Sequence, residues 1–422
     1  MVKFITEEHL RKVIRILMPA LIAWALFVTA MRALRTPNDF SEAHCLIDYG
    51  AGFIRRGLVG SMMGILSDTG FVPLTENNIL IFSAIAFVLF CLLVLALSWR
   101  ILDKSNWRMD AFLMVIVFAA SPFIVVNAHL VGYFDHLVIP ISLAAALLAL
   151  HNRGWLAGLL MAVAVLIHEG VLFLGFPLLV FALYLESVRV GGNKLTLRPF
   201  LPLLLPVAAY LAVWFSESFL VNTWQVQNHL TTRMGQFDFI GLNRDILVPR
   251  WLVRDPIRHL LFENHKLIGR LTDPLMLLAM IPSTITIQVF VFRRFHIKLL
   301  SFEALMVFAI TLFPLTMHAL AWDTPRIWSR IIFSAFGIAW LYCEAVPQTR
   351  GRTAWWFWLL ALSTLVVNMF IRIPLMDYWV ERYTSTTRLM IYMPLLLGIA
   401  ILFVYRLMLR RGKFRKQPDY PQ

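Results

Sequence analysis

Between Asn38 and Met62 the chain reads NDFSEAHCLIDYGAGFIRRGLVGSM, placing three acids and two adjacent arginines within one short polar segment. Asp39, Glu42 and Asp48 are each able to act as a general base on a hydroxyl whose proton lies within hydrogen-bond reach. Arg55 and Arg56 carry guanidinium forks that bind phosphate oxygens two at a time. Gly50, Gly52, Gly57, Gly60 and Gly64 let backbone approach a ligand closely. Plainer roles fit the same residues, since Pro-Asn-Asp is ordinary turn chemistry and arginines beside a membrane snorkel to lipid phosphates.

Three further polar groupings interrupt apolar sequence. GYFDHL supplies Asp135 and His136, LIHEG supplies His168 and Glu169, and WDTPRIWSR supplies Asp323, Arg326 and Arg330. An acid and an arginine in such a place either pair with each other or grip a phosphate. His129, Asp135, His136, His168 and Glu169 are also donor types that suit a hard divalent cation. There is no HExxH, HxH or DxD spacing, so whether a metal is used stays open, and no GxGxxG or P-loop pattern indicates a nucleotide.

The elements that must position these residues follow from composition. The chain has 422 residues, of which 60% are hydrophobic and 15% charged, with a mean hydropathy of +0.75. A soluble domain could not carry that apolar surface. Apolar runs of roughly 17 to 22 residues recur, as membrane helices require. The expected fold is therefore all-α: a single integral membrane domain over 1–422 with about twelve spans, at 13–33, 78–99, 110–126, 130–150, 155–168, 170–186, 200–220, 274–292, 303–321, 327–344, 354–371 and 388–408. The pair 155–168 and 170–186 is the sensitive point, because one kinked helix there would reverse every later loop. No Ala-x-Ala site follows MVKFITEEHLRK, so the first helix is expected to be uncleaved.

A net charge of +14 would suit nucleic acid, but the basic residues fall in short segments between apolar runs. That is how membrane orientation is encoded. With Arg11, Lys12 and Arg15 inside, the segments 99–108, 151–154, 186–198, 293–298, 348–352 and 406–416 are inside as well, so both termini are expected to be cytoplasmic. The polar groupings then face outwards. They include an external loop at 34–77 with interfacial helical structure and a long external loop at 221–273 that carries Trp224, His229, Arg233, Asp238, Asn243, Arg244, Asp245, Arg250, Trp251, Arg254, Arg258 and His259. Cys45, Cys91 and Cys343 have no metal-like spacing and read as small apolar side chains.

A first helix followed by a large external loop with an acid and an interfacial helix, together with NDF…GFIRRGLVG, GYFDHL, HEG and WDTPR, resembles the GT-C class of membrane glycosyltransferases. The resemblance covers most of the chain in layout. It implies a multi-pass protein of a bacterial inner membrane that moves a sugar from a polyprenyl-phosphate-linked donor to a glycan, lipid or protein acceptor on the external face. In that reading Asp39, or else Asp48 or Glu42, is the base, while Arg55, Arg56 and Arg326 hold donor phosphate. Many members of the class carry a paired acid in this loop, and here NDF stands alone. Two other functions fit the residues: a polysaccharide polymerase or ligase, and a transporter or flippase in which Asp135, His168 and Glu169 relay protons.

Overall fold

The computed structural model describes residues 7–190, 197–240, 266–321, 323–346, 354–375 and 381–410. Every regular element among them is helical. The basic segment at 348–352, residues 411–416 of the tail and much of 186–198 lie outside the described residues.

Among the described residues seven helical segments are both long and apolar enough to cross a membrane: Lys12–Met31, Glu76–Lys104, Met109–His129, Arg198–Leu220, Pro274–Arg294, Phe302–Ala319 and Ser385–Leu407. The expectation of about twelve exceeds this number for two physical reasons. Asp135–Leu150, Gly154–Ile167, Phe176–Val190 and Trp355–Phe370 are apolar but short; at 1.5 Å per residue they reach only about 21 to 24 Å against a hydrocarbon core of about 30 Å. Thr324–Ala345 is long, but it carries Arg326, Arg330 and Glu344 and is buried along nearly its whole length.

That helix and Met109–His129 form the centre of the bundle. Phe118 stacks on Phe336 with ring centroids 3.7 Å apart, and Phe123 on Phe333 at 5.3 Å. Met109–His129 is two helices joined at Ala120 and Ser121, because Pro122 disfavours the helical conformation in the residue before it and then starts the next helix. Glu76–Lys104 and Arg198–Leu220 lie at the periphery, with only 28% and 22% of their most apolar stretches buried.

The sensitive pair resolves into separate helices. Gly154–Ile167 ends at His168, whose backbone is extended, and the chain re-enters helix at Val171–Leu174 and Phe176–Val190. The two run in opposite directions: a side chain on Gly154 would touch Leu183, and the Arg189 guanidinium donates to the Leu150 carbonyl beside it at 3.2 Å. Each helix packs against Asp135–Leu150.

At the end of the first helix, Arg32 donates from Nε to Glu381 at 2.7 Å and from Nη1 to the Asn368 carbonyl at 2.7 Å, and Arg388 approaches the same Glu381 oxygen at 2.9 Å. This buried cluster ties the end of the first helix to Asn368, Ile371, Glu381 and Arg388.

Candidate functional site

The first polar loop is folded by local capping. Asn38 caps the short helix Asp39–His44: its Oδ1 accepts from the Ser41 N–H at 2.9 Å, while the Ser41 hydroxyl accepts from the Asn38 N–H at 3.0 Å. The Pro-Asn-Asp turn is thus a helix start, a stronger use of the same residues. A second helix, Gly57–Asp68, begins after Arg56, which takes a left-handed conformation with φ 63°. Such a backbone is costly for a residue with a Cβ and persists only where its surroundings hold it. Gly60 lets that helix press on the loop, since a Cβ there would lie 2.0 Å from the Ile47 carbonyl oxygen.

What holds Arg56 is a chain of charged and polar groups contributed by the ends of four elements. Its Nε lies 3.0 and 3.1 Å from the two Glu169 oxygens, its Nη2 also bonds Glu169, and its Nη1 donates to His44 Nε2 at 3.0 Å. Because arginine only donates, His44 must accept through Nε2, so its proton sits on Nδ1, 2.8 Å from the Phe40 carbonyl. Burial, with Arg56 adding to it, pushes the His44 imidazole down to about 3, which keeps it neutral. Glu169 lies 3.7 Å from His168 Nδ1, and His168 Nε2 is 3.4 Å from Arg326. Arg326 then bonds Asp135, whose second oxygen accepts from Arg330 at 2.8 Å. The structure therefore brings Arg56, His168, Glu169, Asp135 and Arg326 into one network.

The remaining predicted residues divide. His136 turns away from this network, with Nε2 against the Asn127 carbonyl at 3.0 Å and its ring among Phe87 and Phe90. Asp323 caps the helix that carries Arg326, accepting from the Arg326 N–H at 3.4 Å. Asp39 is half-buried and accepts from the Phe40 N–H at 3.0 Å. Asp48 is paired with His229 at 2.8 Å and Arg233 at 2.5 Å, both on the helix Thr223–Met234. Around that clasp Ala43, Leu46, Ile47 and Ile54 pack against Val226, Leu230 and Met234, a small second core separate from the main one. Asn243, Arg244, Asp245, Arg250, Trp251, Arg254, Arg258 and His259 lie outside the described residues.

Two residues stay open. Glu42 is only 7% exposed, and none of the described residues pairs with its carboxylate. Burial, with Glu76 and Asp39 nearby, pushes it up to about 7, the range in which a carboxylate exchanges protons at neutral pH. Arg55 gives its backbone N–H and its Nε to Glu217 at 2.7 and 3.1 Å. Its two terminal nitrogens have no partner among the described residues and are not sealed from solvent. By contrast, the crevice lined by Asp135, Arg326 and Arg330 with Phe123, Asn127 and Leu130 has no room even for a water-sized molecule, so it offers no space for a ligand.

The residue types gave no role to His44 or Glu217. Glu217 carried one signal, an isolated acid in WFSESFL at the end of an apolar run. Among the described residues no group of three or more His, Cys, Asp or Glu is arranged to hold a metal ion. The chain matches no protein-family model, no curated protein and no solved structure.

Proposed function

We propose that the protein is a multi-pass membrane glycosyltransferase of the GT-C type, with about twelve passes, that moves a sugar from a polyprenyl-phosphate-linked donor to an acceptor on the external face of a bacterial inner membrane. The observation that carries the reading is that two groups of opposite character are left open in the first polar loop: the buried Glu42 carboxylate, which none of the described residues pairs with, and the unengaged edge of Arg55. Transfer needs such a pair. An acceptor hydroxyl gives its proton to Glu42 as its oxygen bonds the sugar carbon, and the bond from that carbon to the phosphate oxygen breaks with its electrons left on the phosphate. Arg55 meets the charge that develops there. Arg56, spent on Glu169 and His44, shapes the loop.

Orientation is supported by the opposite end of the bundle. There Arg100 binds Glu344 through two bonds of 2.9 Å, Arg406 donates to the Trp107 carbonyl, and Arg189 reaches Leu150. Basic helix ends gathered on one side suit the cytoplasmic face, with both termini there and the loop site outside.

The test is sugar transfer from a radiolabelled polyprenyl-phosphate sugar in membranes containing Glu42→Gln or Arg55→Ala, alongside the surface glycan profile of the cells. Both variants, present at wild-type level, are expected to lose transfer and the glycan. An unchanged profile in both would remove the loop from the reaction and favour an ion relay through Asp135, His168 and Glu169.

A further inference from the structure

Adjacent arginines in the first loop are held by different carboxylates in different ways. Arg56 commits Nε, Nη1 and Nη2. Arg55 commits only its backbone N–H, to one Glu217 oxygen at 2.7 Å, and its Nε, shared between both Glu217 oxygens at 3.1 and 3.2 Å. Glu217 reaches it from an irregular element: the helix Leu204–Phe215 does not stop as an α-helix but widens into a π-turn at Ser216–Leu220. Such turns concentrate at functional sites, because each re-aims the side chains it carries.

The π-turn has its own seat. Val221 closes it by donating to the Ser216 carbonyl at 2.9 Å, and Val221 then packs on Gly52, which has φ +134°. A Cβ on Gly52 would lie 2.5 Å from a Val221 methyl. The Gly-Ala-Gly turn therefore admits Val221, Val221 seats the π-turn, and the π-turn brings Glu217 to Arg55. The two segments that hold the Arg55–Glu217 pair also carry exposed apolar side chains, Phe53 on one and Trp214, Phe219 and Leu220 on the other.

We propose that Glu217 is a positioning residue: through the π-turn it fixes Arg55 so that its two terminal nitrogens receive a phosphate carried on an apolar chain. Taking that phosphate to be the sugar donor's rests on the glycosyltransferase reading, whereas the binding geometry does not depend on transfer. A fork matters because two parallel N–H groups match two phosphate oxygens, which an ammonium cannot reproduce.

The experiment uses the full-length protein in phosphatidylcholine nanodiscs and a photoactivatable polyprenyl phosphate as the probe. Saturable labelling is expected, displaced by unlabelled polyprenyl phosphate but not by polyprenol, inorganic phosphate or phosphatidylglycerol. Arg55→Lys and Glu217→Ala are expected to weaken binding about ten-fold or more. Glu217→Gln, whose amide oxygen still accepts from both donors, should weaken it only about three-fold. Exchanging the partners, Arg55→Glu with Glu217→Arg, restores a side-chain ion pair but moves the guanidinium, and should abolish labelling in the folded fraction. Wild-type affinity in the folded fraction of Glu217→Ala, or in the exchanged protein, overturns the assignment. Equal displacement by phosphatidylglycerol or inorganic phosphate overturns the choice of a carrier lipid. Binding that needs Glu217 without any sugar transfer would leave this inference standing and remove the glycosyltransferase reading instead.

Discussion

Two ionic clusters in this molecule are built from the same residue types and differ in how completely they are closed. Around Glu381 the side chains of Arg32 and Glu381 are 1% and 0% exposed, and both arginines also donate to the Ile371 carbonyl at 2.9 Å. Charges sealed in this way bind each other and nothing else. In the outer network Glu169 is 23% exposed, and Arg55 and Glu217 are 20% exposed each. Water, and any ligand, meets one edge of this network. Burial thus separates an ion cluster that fastens helices from one that is able to exchange partners.

The largest effect should come from breaking the sealed cluster. Glu381→Ala leaves two buried guanidinium groups without a counter-charge and is expected to cost about 3 to 5 kcal/mol. Denaturation in mild detergent, read by tryptophan fluorescence, measures this. Glu169→Ala should cost less, about 1 to 3 kcal/mol, because Arg56 keeps His44 and the site reaches water. Equal losses in the two variants would break the comparison, since the outer network would then be as closed as the inner one.

Helix positions were legible along the chain because hydropathy is a local property. The break at His168–Gly170 could be read from its polar residues. Partnership was not legible. Arg32 and Glu381 lie 349 residues apart, and Arg55 and Glu217 are 162 apart; no periodicity links such positions. Two adjacent arginines suggested a phosphate because each guanidinium fork matches two phosphate oxygens. In the structure each has an acid partner, and only Arg55 keeps donors in reserve. Glu42 shows the same limit from the other side: three acids in one loop look alike in sequence, yet Asp48 is clasped by His229 and Arg233 while Glu42 is buried with no cation beside it among the described residues.

Smaller stability effects should accompany larger functional ones at the open edge. Arg55→Ala removes a partly exposed pair and is expected to cost no more than about 1 kcal/mol, while transfer is lost. A melting curve together with a transfer assay on the same preparation measures both. A large loss of stability here would place Arg55 with the sealed cluster.

Glu42 gives the finest test, because its sign can be fixed in advance. Its value in the fold, about 7, lies above the ordinary 4.5, so the folded protein binds a proton that the unfolded chain releases sooner. Stability should therefore decline as pH rises from about 4.5 to about 7 and level off above that. Glu42→Gln, which cannot ionise, should lose this slope. Activity runs the other way: as a general base Glu42 must be ionised, so transfer should rise through about pH 7 and reach a plateau. A stability that declines with pH while transfer rises over the same window would identify one carboxyl as the source of both. Transfer insensitive to pH across that window would take the proton-accepting role from Glu42 and leave it as an unpaired acid of the loop.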